Sequence, residues 1–185
     1  MDAREEKLLA RRRAREKLNG ITAEEWRDIS LGVCAHLADA AEYRGADSVF
    51  CFVGHGAEID TRPFLERALR DGKALYVPRC RGNGLMEAVR IGDLDCLKPG
   101  MFGIPEPDGD LPAADGSGIA LAVAPCLAAD AEGYRLGRGG GYYDRFLASF
   151  KGTAILVCPE KMLLPRVPRD AWDVKCARVI TERRG

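Results

Sequence analysis

The sequence lacks long apolar runs and an excess of charge of either sign. No apolar run approaches the roughly 20 residues that span a bilayer, and the N-terminal stretch is charged rather than apolar. The 28 basic and 28 acidic residues cancel, so the chain has no overall field that would attract nucleic acid or anionic lipid. We therefore expect a cytoplasmic protein that binds a small molecule through local charges, with its oligomeric state left open.

The sequence also has little histidine and no closely paired cysteines. Its two histidines are His36 and His55, and its seven cysteines stand singly, without a C-x-x-C pair. Such spacing does not predict a disulfide framework or a zinc site, and it leaves few candidates for imidazole chemistry. We interpret both histidines as structural or surface residues.

The length of 185 residues is typical of one domain, and we expect a single domain over 1–185. A stretch without Gly or Pro predicts a first helix from Arg4 to Leu18. Thr22 and Glu25 have the spacing of a capping box that opens a second helix. The predicted buried face of that helix carries Trp26, Ile29, Val33 and Leu37.

Short apolar runs predict strands separated by helices, and Pro78 is expected to end the second of them. Thr61 is expected to cap a helix that ends before Gly72, Arg81 to Gly84 to turn an antiparallel hairpin, and Lys98 to Pro112 to form a long loop. The predicted strands are Ser48 to Val53, Ala74 to Val77, Met86 to Ile91, Ile119 to Val123, Thr153 to Val157 and Lys175 to Thr181. This order predicts a three-layer α/β/α fold with a largely parallel sheet.

The most informative stretch is DAEGYRLGRGGGYYD, from Asp130 to Asp144, which places four glycines just before a predicted helix at Tyr142 to Phe150. Glycine lets several backbone N–H groups turn toward one anion, and Arg135 and Arg138 add positive charge. A flexible turn is the alternative, but the two arginines favour a phosphate loop. The spacing matches neither a Walker A loop nor the dinucleotide-binding fingerprint.

The segment GYRLGRGGGYYD resembles the glycine-rich signature of the 5-formyltetrahydrofolate cyclo-ligase family, also called methenyltetrahydrofolate synthetases. The likeness continues through VAPCLAAD (Val123 to Asp130), FGIPEP (Phe102 to Pro107), GKALYVPR (Gly72 to Arg79) and GAEIDTRP (Gly56 to Pro63). It covers nearly the whole chain. The resemblance implies the three-layer α/β/α fold that sugar-phosphate isomerases and coenzyme A transferases share.

The resemblance also implies ATP and Mg²⁺ as cofactors. Lys7 and Arg11, four residues apart on the first helix, match the family's K-x-x-x-R pair and would bind the phosphates from one helical face. The alternative is a solvated basic face, to which we assign Arg12, Arg13, Arg15 and Lys17. The implied phosphate-binding residues of the loop are Arg135, Leu136, Gly137, Arg138, Gly139, Gly140, Gly141, Tyr142 and Tyr143, with Arg138 and Tyr143 also implied as catalytic.

Further implied residues concern the folate and the metal. Val53 and Glu58 would bind the folate together with Tyr143, where the carboxylate suits the N–H donors of a pterin. Without the resemblance, Glu58 would be interpreted as an exposed loop acid. Asp144 and Asp173 would bind Mg²⁺, although Asp144 could instead stabilise the first turn of its helix.

The implied activity converts 5-formyltetrahydrofolate, possibly polyglutamylated, to 5,10-methenyltetrahydrofolate with release of ADP and phosphate. Two alternatives stay open. One is a folate- or nucleotide-binding homologue that has lost turnover, which four departures from the family pattern suggest, and the other is another ATP-dependent ligase on this fold. The departures are Cys126 for a usual Gly, Met162 near a usual Gln, Trp172 for His and Ala177 for Asp.

Overall fold

The computed structural model describes residues 3–114 and 116–185, apart from the side chains of Ala3 and Phe102. Helices and strands alternate along most of the chain. The helices are α1 (Ala3–Asn19), α2 (Ala23–Asp39), α3 (Ala41–Gly45), α4 (Arg62–Arg70) and α5 (Tyr142–Ser149). The strands are β1 (Ser48–Cys51), β2 (Ala74–Gly82), β3 (Leu85–Ile91), β4 (Leu97–Pro99), β5 (Pro105–Pro107), β6 (Ala113–Ala114), β7 (Leu121–Ala124), β8 (Ala128–Asp130), β9 (Arg135–Leu136), β10 (Thr153–Val157), β11 (Leu163–Leu164) and β12 (Arg178–Ile180).

The central sheet has seven strands in the order β12-β10-β7-β1-β2-β3-β6. Its first five strands are parallel, and β1 lies at the centre with Phe50 opposite both Tyr76 and Ala122. The strands β3 and β6 add to β2 in antiparallel pairing. The largely parallel sheet with one antiparallel hairpin is therefore confirmed.

Helices cover both faces of this sheet. Phe50 on β1 stacks on Phe146 of α5 with ring centroids 4.4 Å apart, whereas the neighbouring Cys51 lies near Cys34 of α2. Since successive strand residues point to opposite faces, α5 and α2 lie on opposite sides of the sheet. The helices α3 and α4 pack against α2. The predicted three layers are thus confirmed.

The N-terminal helices follow their sequence signals closely. The Thr22 side chain accepts from the Glu25 N–H, and the Glu25 carboxylate accepts from the Thr22 N–H, which completes the predicted capping box. Thr61 is the N-cap residue of α4, as predicted, but its side chain makes no capping hydrogen bond to the helix. Its buried hydroxyl instead donates to the Phe52 carbonyl and accepts from the Gly54 N–H, so it satisfies backbone groups just beyond β1.

One strand prediction and one loop prediction also need correction. The strand β2 continues through Pro78 to Gly82, because the pairing of β2 with β1 ends at Tyr76 and the missing N–H of Pro78 breaks no parallel ladder. The segment Lys98 to Pro112 is not a continuous loop, since β4 and β5 pair antiparallel within it. The Phe102 side chain in this segment lies outside the described residues.

A second, three-stranded sheet was not predicted from the sequence. It has the order β11-β8-β9, and each of its pairings spans only two residues, which is too short for a periodic signal. The strand β9 leads directly into the glycine loop, so this small sheet fixes where the loop begins. The single-domain expectation stays a prediction, and no helix in the described part of the chain is long and apolar enough to cross a membrane.

Candidate functional site

A cavity of about 960 Å³ lies where β1, β2 and β7 reach their carboxyl ends. Residues that follow these strands line it, among them Val53 after β1, Cys80 near the end of β2 and Cys126 after β7. In open parallel sheets, ligands bind in the crevice outside the carboxyl ends of the strands. The cavity wall brings together every site residue implied from the sequence: Lys7, Arg11, Val53, Glu58, Arg135 to Asp144, and Asp173.

The glycine loop forms one side of this cavity. Gly139 and Gly141 adopt positive φ angles of 107° and 71°, which strain any residue with a side chain. Gly141 is the N-cap residue of α5, so the loop leads directly into the exposed N–H groups of that helix's first turn. This combination of backbone donors and a helix N-terminus is suited to an anion such as phosphate.

Two arginines of α1 hold the loop through its carbonyl groups. The Arg11 Nε donates to the Gly137 carbonyl at 3.0 Å, and an Arg15 amino group donates to the Arg138 carbonyl at 3.3 Å. Arg15 therefore does more than the solvated role expected for it, while Arg12 remains exposed and pairs with Glu16 on its own helix. The helix α1 thus supports the loop as well as adding charge beside it.

Lys7 is a buried ammonium group held by two aspartates. Its Nζ lies 2.7 Å from Asp170 Oδ2 and 2.5 Å from Asp173 Oδ2, and its side chain is only 10% exposed. Burial would lower the pKa of Lys7, but the hydrogen bonds to both carboxylates outweigh burial and hold the pKa above its usual range. The lysine expected at the phosphates and the aspartate expected at the metal therefore contact each other directly.

Asp144 pairs with an arginine of the same loop. Its Oδ1 lies 2.5 Å from an amino group of Arg135, whose side chain is 3% exposed. No group of three or more His, Cys, Asp or Glu side chains placed to hold a metal occurs among the described residues. The donor chemistry still fits Mg²⁺, because Asp144 and Asp173 line the same cavity as the glycine loop, and Mg²⁺ commonly uses one or two carboxylates together with phosphate oxygens.

An ion pair joins the glycine loop to the segment that follows β1. The Arg138 Nε donates to Glu58 Oε1 at 2.9 Å, and Glu58 Oε2 accepts from the His55 N–H at 3.2 Å. The Glu58 side chain is largely buried, so it is not the exposed loop acid that the bare sequence would suggest. The implied folate ligand and the implied catalytic arginine therefore meet across the cavity.

The other side of the cavity is mostly apolar, with Val53, Pro78, Met86 and Ile104 in its wall. One carboxylate, Glu106, stands among these residues and is 8% exposed. Its Oε1 accepts from the Cys80 N–H at 3.2 Å. Burial, together with the hydrogen bond to Glu106, raises the pKa of the Cys80 thiol to about 12, so this cysteine stays protonated near neutral pH.

Tyr143 lies between the two sides. Its ring packs against Phe50 with centroids 6.4 Å apart, and the side chain is half-buried. Burial, with a smaller contribution from the charge of Glu58, raises the pKa of Tyr143 well above its usual range. The hydroxyl is therefore protonated at neutral pH, where it can donate a hydrogen bond but cannot serve as a base.

The cavity residues that the sequence analysis missed as candidates include three charged side chains that make hydrogen bonds. Asp170 binds Lys7, Glu106 stands in the apolar wall, and Arg145 donates to the carbonyls of Gly84 and Gly140. Signals for two of them were present, since Glu106 belongs to the FGIPEP segment and Arg145 directly follows Asp144. Asp170 has no local signal, because only the fold brings it to α1.

The four departures from the family pattern separate into two groups. Cys126 and Trp172 line the cavity, so these two substitutions alter its wall. Met162 is buried in the core, and the Ala177 N–H donates to the Ala154 carbonyl beside the sheet. Neither of the latter two residues lines the cavity.

Comparisons with known proteins agree over nearly the whole length. The model of the 5-formyltetrahydrofolate cyclo-ligase family matches residues 3–182. A 5-formyltetrahydrofolate cyclo-ligase of Mycolicibacterium smegmatis is 32% identical over 148 residues, which cover 75% of each chain. One of Mus musculus is 26% identical over 181 residues, which cover 91% of this chain and 89% of the relative.

Solved structures show the same fold. The NMR structure of 5,10-methenyltetrahydrofolate synthetase from Aquifex aeolicus matches with a TM-score of 0.85 and 32% identity, covering 96% of this chain and 90% of that one. A 5,10-methenyltetrahydrofolate synthetase from Mycoplasma pneumoniae has a TM-score of 0.76 at 17% identity, covering 95% and 98%, and this likeness concerns the fold alone. With a family match spanning residues 3–182 and a glycine loop facing the sheet-end cavity, the chain belongs to the 5-formyltetrahydrofolate cyclo-ligase family.

Proposed function

We propose that this chain closes 5-formyltetrahydrofolate to 5,10-methenyltetrahydrofolate at the expense of ATP, which is released as ADP and phosphate. The observation that carries the proposal is one cavity with two unlike sides. One side has the glycine loop and the cations of α1, and the other is apolar with buried carboxylates. These two sides suit a triphosphate and a planar heterocycle with N–H donors, which the reaction must bring together.

The cationic side supports binding of the triphosphate. Its backbone N–H groups and helix N-terminus favour an anion, and Lys7, Arg11 and Arg138 place three positive side chains around the same space. Arg138 is paired with Glu58 in this structure, and a phosphate oxygen would take the place of that acid. The Lys7 ammonium has three N–H donors, so it can donate to a phosphate oxygen while it stays paired with Asp170 and Asp173. Arg11 would keep the loop in position through the Gly137 carbonyl.

Mg²⁺ would be held by Asp144 and Asp173 together with phosphate oxygens. When bound, the ion would neutralise charge on the phosphates during transfer. A carboxylate about 4 Å from a phosphate repels it by roughly 4 kcal/mol at an effective dielectric near 20, so acids at a phosphate loop need a cation between them and the nucleotide. In this structure Arg135 and Lys7 provide the positive charge beside the two aspartates.

The apolar side would receive the pterin. A flat aromatic heterocycle gains stability from contact with apolar residues such as Val53, and its N–H groups need acceptors once they leave water. Glu58 is the implied acceptor, and its carboxylate becomes available when Arg138 turns to the phosphate. Binding of the nucleotide would in this way prepare the acceptor for the folate.

The reaction then proceeds in two balanced steps. The formyl oxygen on nitrogen 5 attacks the γ-phosphorus, a new O–P bond forms, and the bond to the β-phosphate oxygen breaks to release ADP. Nitrogen 10 next adds to the activated formyl carbon and loses its proton, and the C–O bond breaks to release phosphate. The methenyl bridge remains between the two nitrogens.

The protein contributes position and charge rather than a nucleophile. Arg138 and Tyr143 lie between the two sides, where a cation and a protonated hydroxyl can stabilise negative charge on the transferring phosphate. Such electrostatic positioning is the main protein contribution in phosphoryl transfer. It is consistent with a cavity whose only histidine is His55, on its exposed rim, within the described chain.

The test is incubation of the protein with 5-formyltetrahydrofolate, Mg²⁺ and ATP while the near-ultraviolet absorbance of the methenyl product is recorded. We expect one ADP for each methenyl group, and no product when ATP is left out. Closure of the 10-formyl isomer equally well, with no ATP consumed, would contradict activation of the formyl oxygen. Tight binding of both substrates without product would identify a binding homologue instead.

A further inference from the structure

Trp172 is the most exposed large apolar side chain in the described part of the chain, at 85%. It also lines the cavity, where the family pattern usually has a histidine. A single exposed apolar residue needs no explanation by itself, but an open indole ring at the mouth of a binding cavity is a different case. Tryptophan and tyrosine often occupy such positions because they present a large flat face.

The turn that carries Trp172 is held firmly against α1. The Asp170 N–H donates to Asp173 Oδ2 at 2.7 Å, and the Asp173 N–H donates to the Asp170 carbonyl at 3.2 Å. Both carboxylates bind the buried ammonium group of Lys7. These contacts fix the backbone on each side of the indole, so the ring is presented from an ordered support.

The position of this turn relates it to the nucleotide. Lys7 lines the cationic side of the cavity, and the turn is bound to Lys7 itself. The other cavity rings are already engaged: Phe52 is 3% exposed, Tyr143 packs against Phe50, and the Tyr142 hydroxyl contacts Met101. Among the described cavity rings, Trp172 therefore offers the most accessible face beside the cationic side.

We propose that Trp172 stacks on the purine base of ATP and is a specificity-determining residue for the nucleotide. This inference rests on the proposed function. With its triphosphate between α1 and the glycine loop, ATP must direct its base away from the reacting γ-phosphate, toward the cavity mouth. An indole held there contacts any flat base, because every base has a π-face. The turn would select a nucleoside triphosphate over triphosphate alone.

The experiment measures binding without turnover, because ATP and folate are added to separate samples and never together. The chain has two tryptophans, so Trp26→Phe leaves Trp172 as the sole indole reporter. In the Trp26→Phe protein, ATP with Mg²⁺ should quench the fluorescence of Trp172, whereas inorganic tripolyphosphate with Mg²⁺ should bind without quenching it. Fluorescence quenched by folate alone and not by ATP would assign the indole to the other substrate and overturn the inference.

Affinities measured by calorimetry provide the second arm. Stacking of a base on an aromatic side chain contributes enough that Trp172→Ala should raise the Kd of ATP by about 5- to 150-fold. The Kd of tripolyphosphate should not change, and Trp172→Phe should recover most of the ATP affinity. The matched control is Leu31→Ala on α2, an exposed apolar side chain that does not line the cavity, which should change neither Kd.

The outcomes separate this inference from the function on which it rests. If Trp172→Ala binds ATP as tightly as the unsubstituted protein, or loses affinity for ATP and tripolyphosphate equally, the stacking role is wrong. Product formation from ATP and 5-formyltetrahydrofolate would still stand in that case. If the unsubstituted protein binds neither ATP nor tripolyphosphate, the proposed function fails first and the stacking role fails with it.

Discussion

The two sides of the cavity differ in how their residues are brought together. The cationic side is built largely from two continuous segments, α1 and the loop from Arg135 to Asp144. In each segment the spacing of basic residues or glycines is visible in the sequence. The apolar side takes single residues from separate elements, such as Val53 after β1, Met86 on β3 and Ile104 before β5. The sequence pattern therefore reveals the cationic side, whereas only the packing of the fold reveals the apolar side.

The largest effect is expected on the cationic side, at Asp144. Asp144→Asn keeps the shape and an acceptor for Arg135 but weakens the metal, so Mg²⁺-dependent turnover should fall at least about a hundredfold with the protein still folded. Steady-state rates over a Mg²⁺ titration measure this. Metal-free ATP binding should weaken little, or tighten, because a repulsion is removed.

The ion pair with Arg135 supplies the competing explanation for Asp144. If turnover depends on the Arg135–Asp144 ion pair and not on a metal, Arg135→Gln should lose as much turnover as Asp144→Asn. A higher Mg²⁺ concentration should then restore turnover in neither variant. Normal turnover with an unchanged Mg²⁺ requirement in Asp144→Asn would place the metal elsewhere.

A somewhat smaller effect is expected at Lys7. Lys7→Ala removes a charged donor from the phosphates, which is worth about 1.5 to 3 kcal/mol, and should raise the KM for ATP roughly 10- to 150-fold. The control is Arg12→Ala, because Arg12 is exposed and pairs with Glu16 on its own helix. Equal damage from both substitutions, measured by initial rates over an ATP series, would mean that α1 acts only as a diffuse basic surface.

A smaller effect is expected at Glu58, on the apolar side of the cavity. Glu58→Gln keeps an acceptor but loses the charge, so the KM for 5-formyltetrahydrofolate should rise about fivefold. The KM for ATP should stay the same or fall, because Arg138 loses its competing partner. The matched control is His55→Ala, since His55 contacts Glu58 through its backbone N–H rather than its ring. A rise confined to the KM for ATP would contradict the assignment of Glu58 to the folate and would assign it to the nucleotide.

The smallest effect is expected on stability, at Glu106 in the apolar wall. Glu106→Ala leaves the Cys80 N–H without its acceptor, at a cost of about 1 to 3 kcal/mol. The Tm should fall by roughly 2 to 4 °C for each kcal/mol lost in a chain of this size, as measured by thermal unfolding. Glu106→Gln keeps the acceptor and should unfold near the original temperature. An equal fall in both variants would show that the charge, rather than the hydrogen bond, stabilises this position.

Sequence reasoning was most accurate where a signal is local. The capping box at Thr22 and Glu25 and the strand Thr153–Val157 were predicted with the bounds that the structure has. Sequence reasoning failed where the role of a residue depends on partners outside its own element. The Thr61 side chain does not cap α4 because its hydroxyl pairs with backbone groups beyond β1, and Pro78 stays within its strand because the pairing with the parallel neighbour has already ended.

The sequence by itself determined the family, the layered α/β fold and the position of the glycine loop, because glycine spacing and apolar periodicity are properties of consecutive residues. Only the tertiary structure decided the partners inside the cavity. Lys7 meets Asp170 and Asp173 across more than 160 residues of chain, and Arg138 meets Glu58 across 80. Such pairs depend on how the elements pack around the sheet, and charge pairing at that separation leaves no pattern in a single sequence.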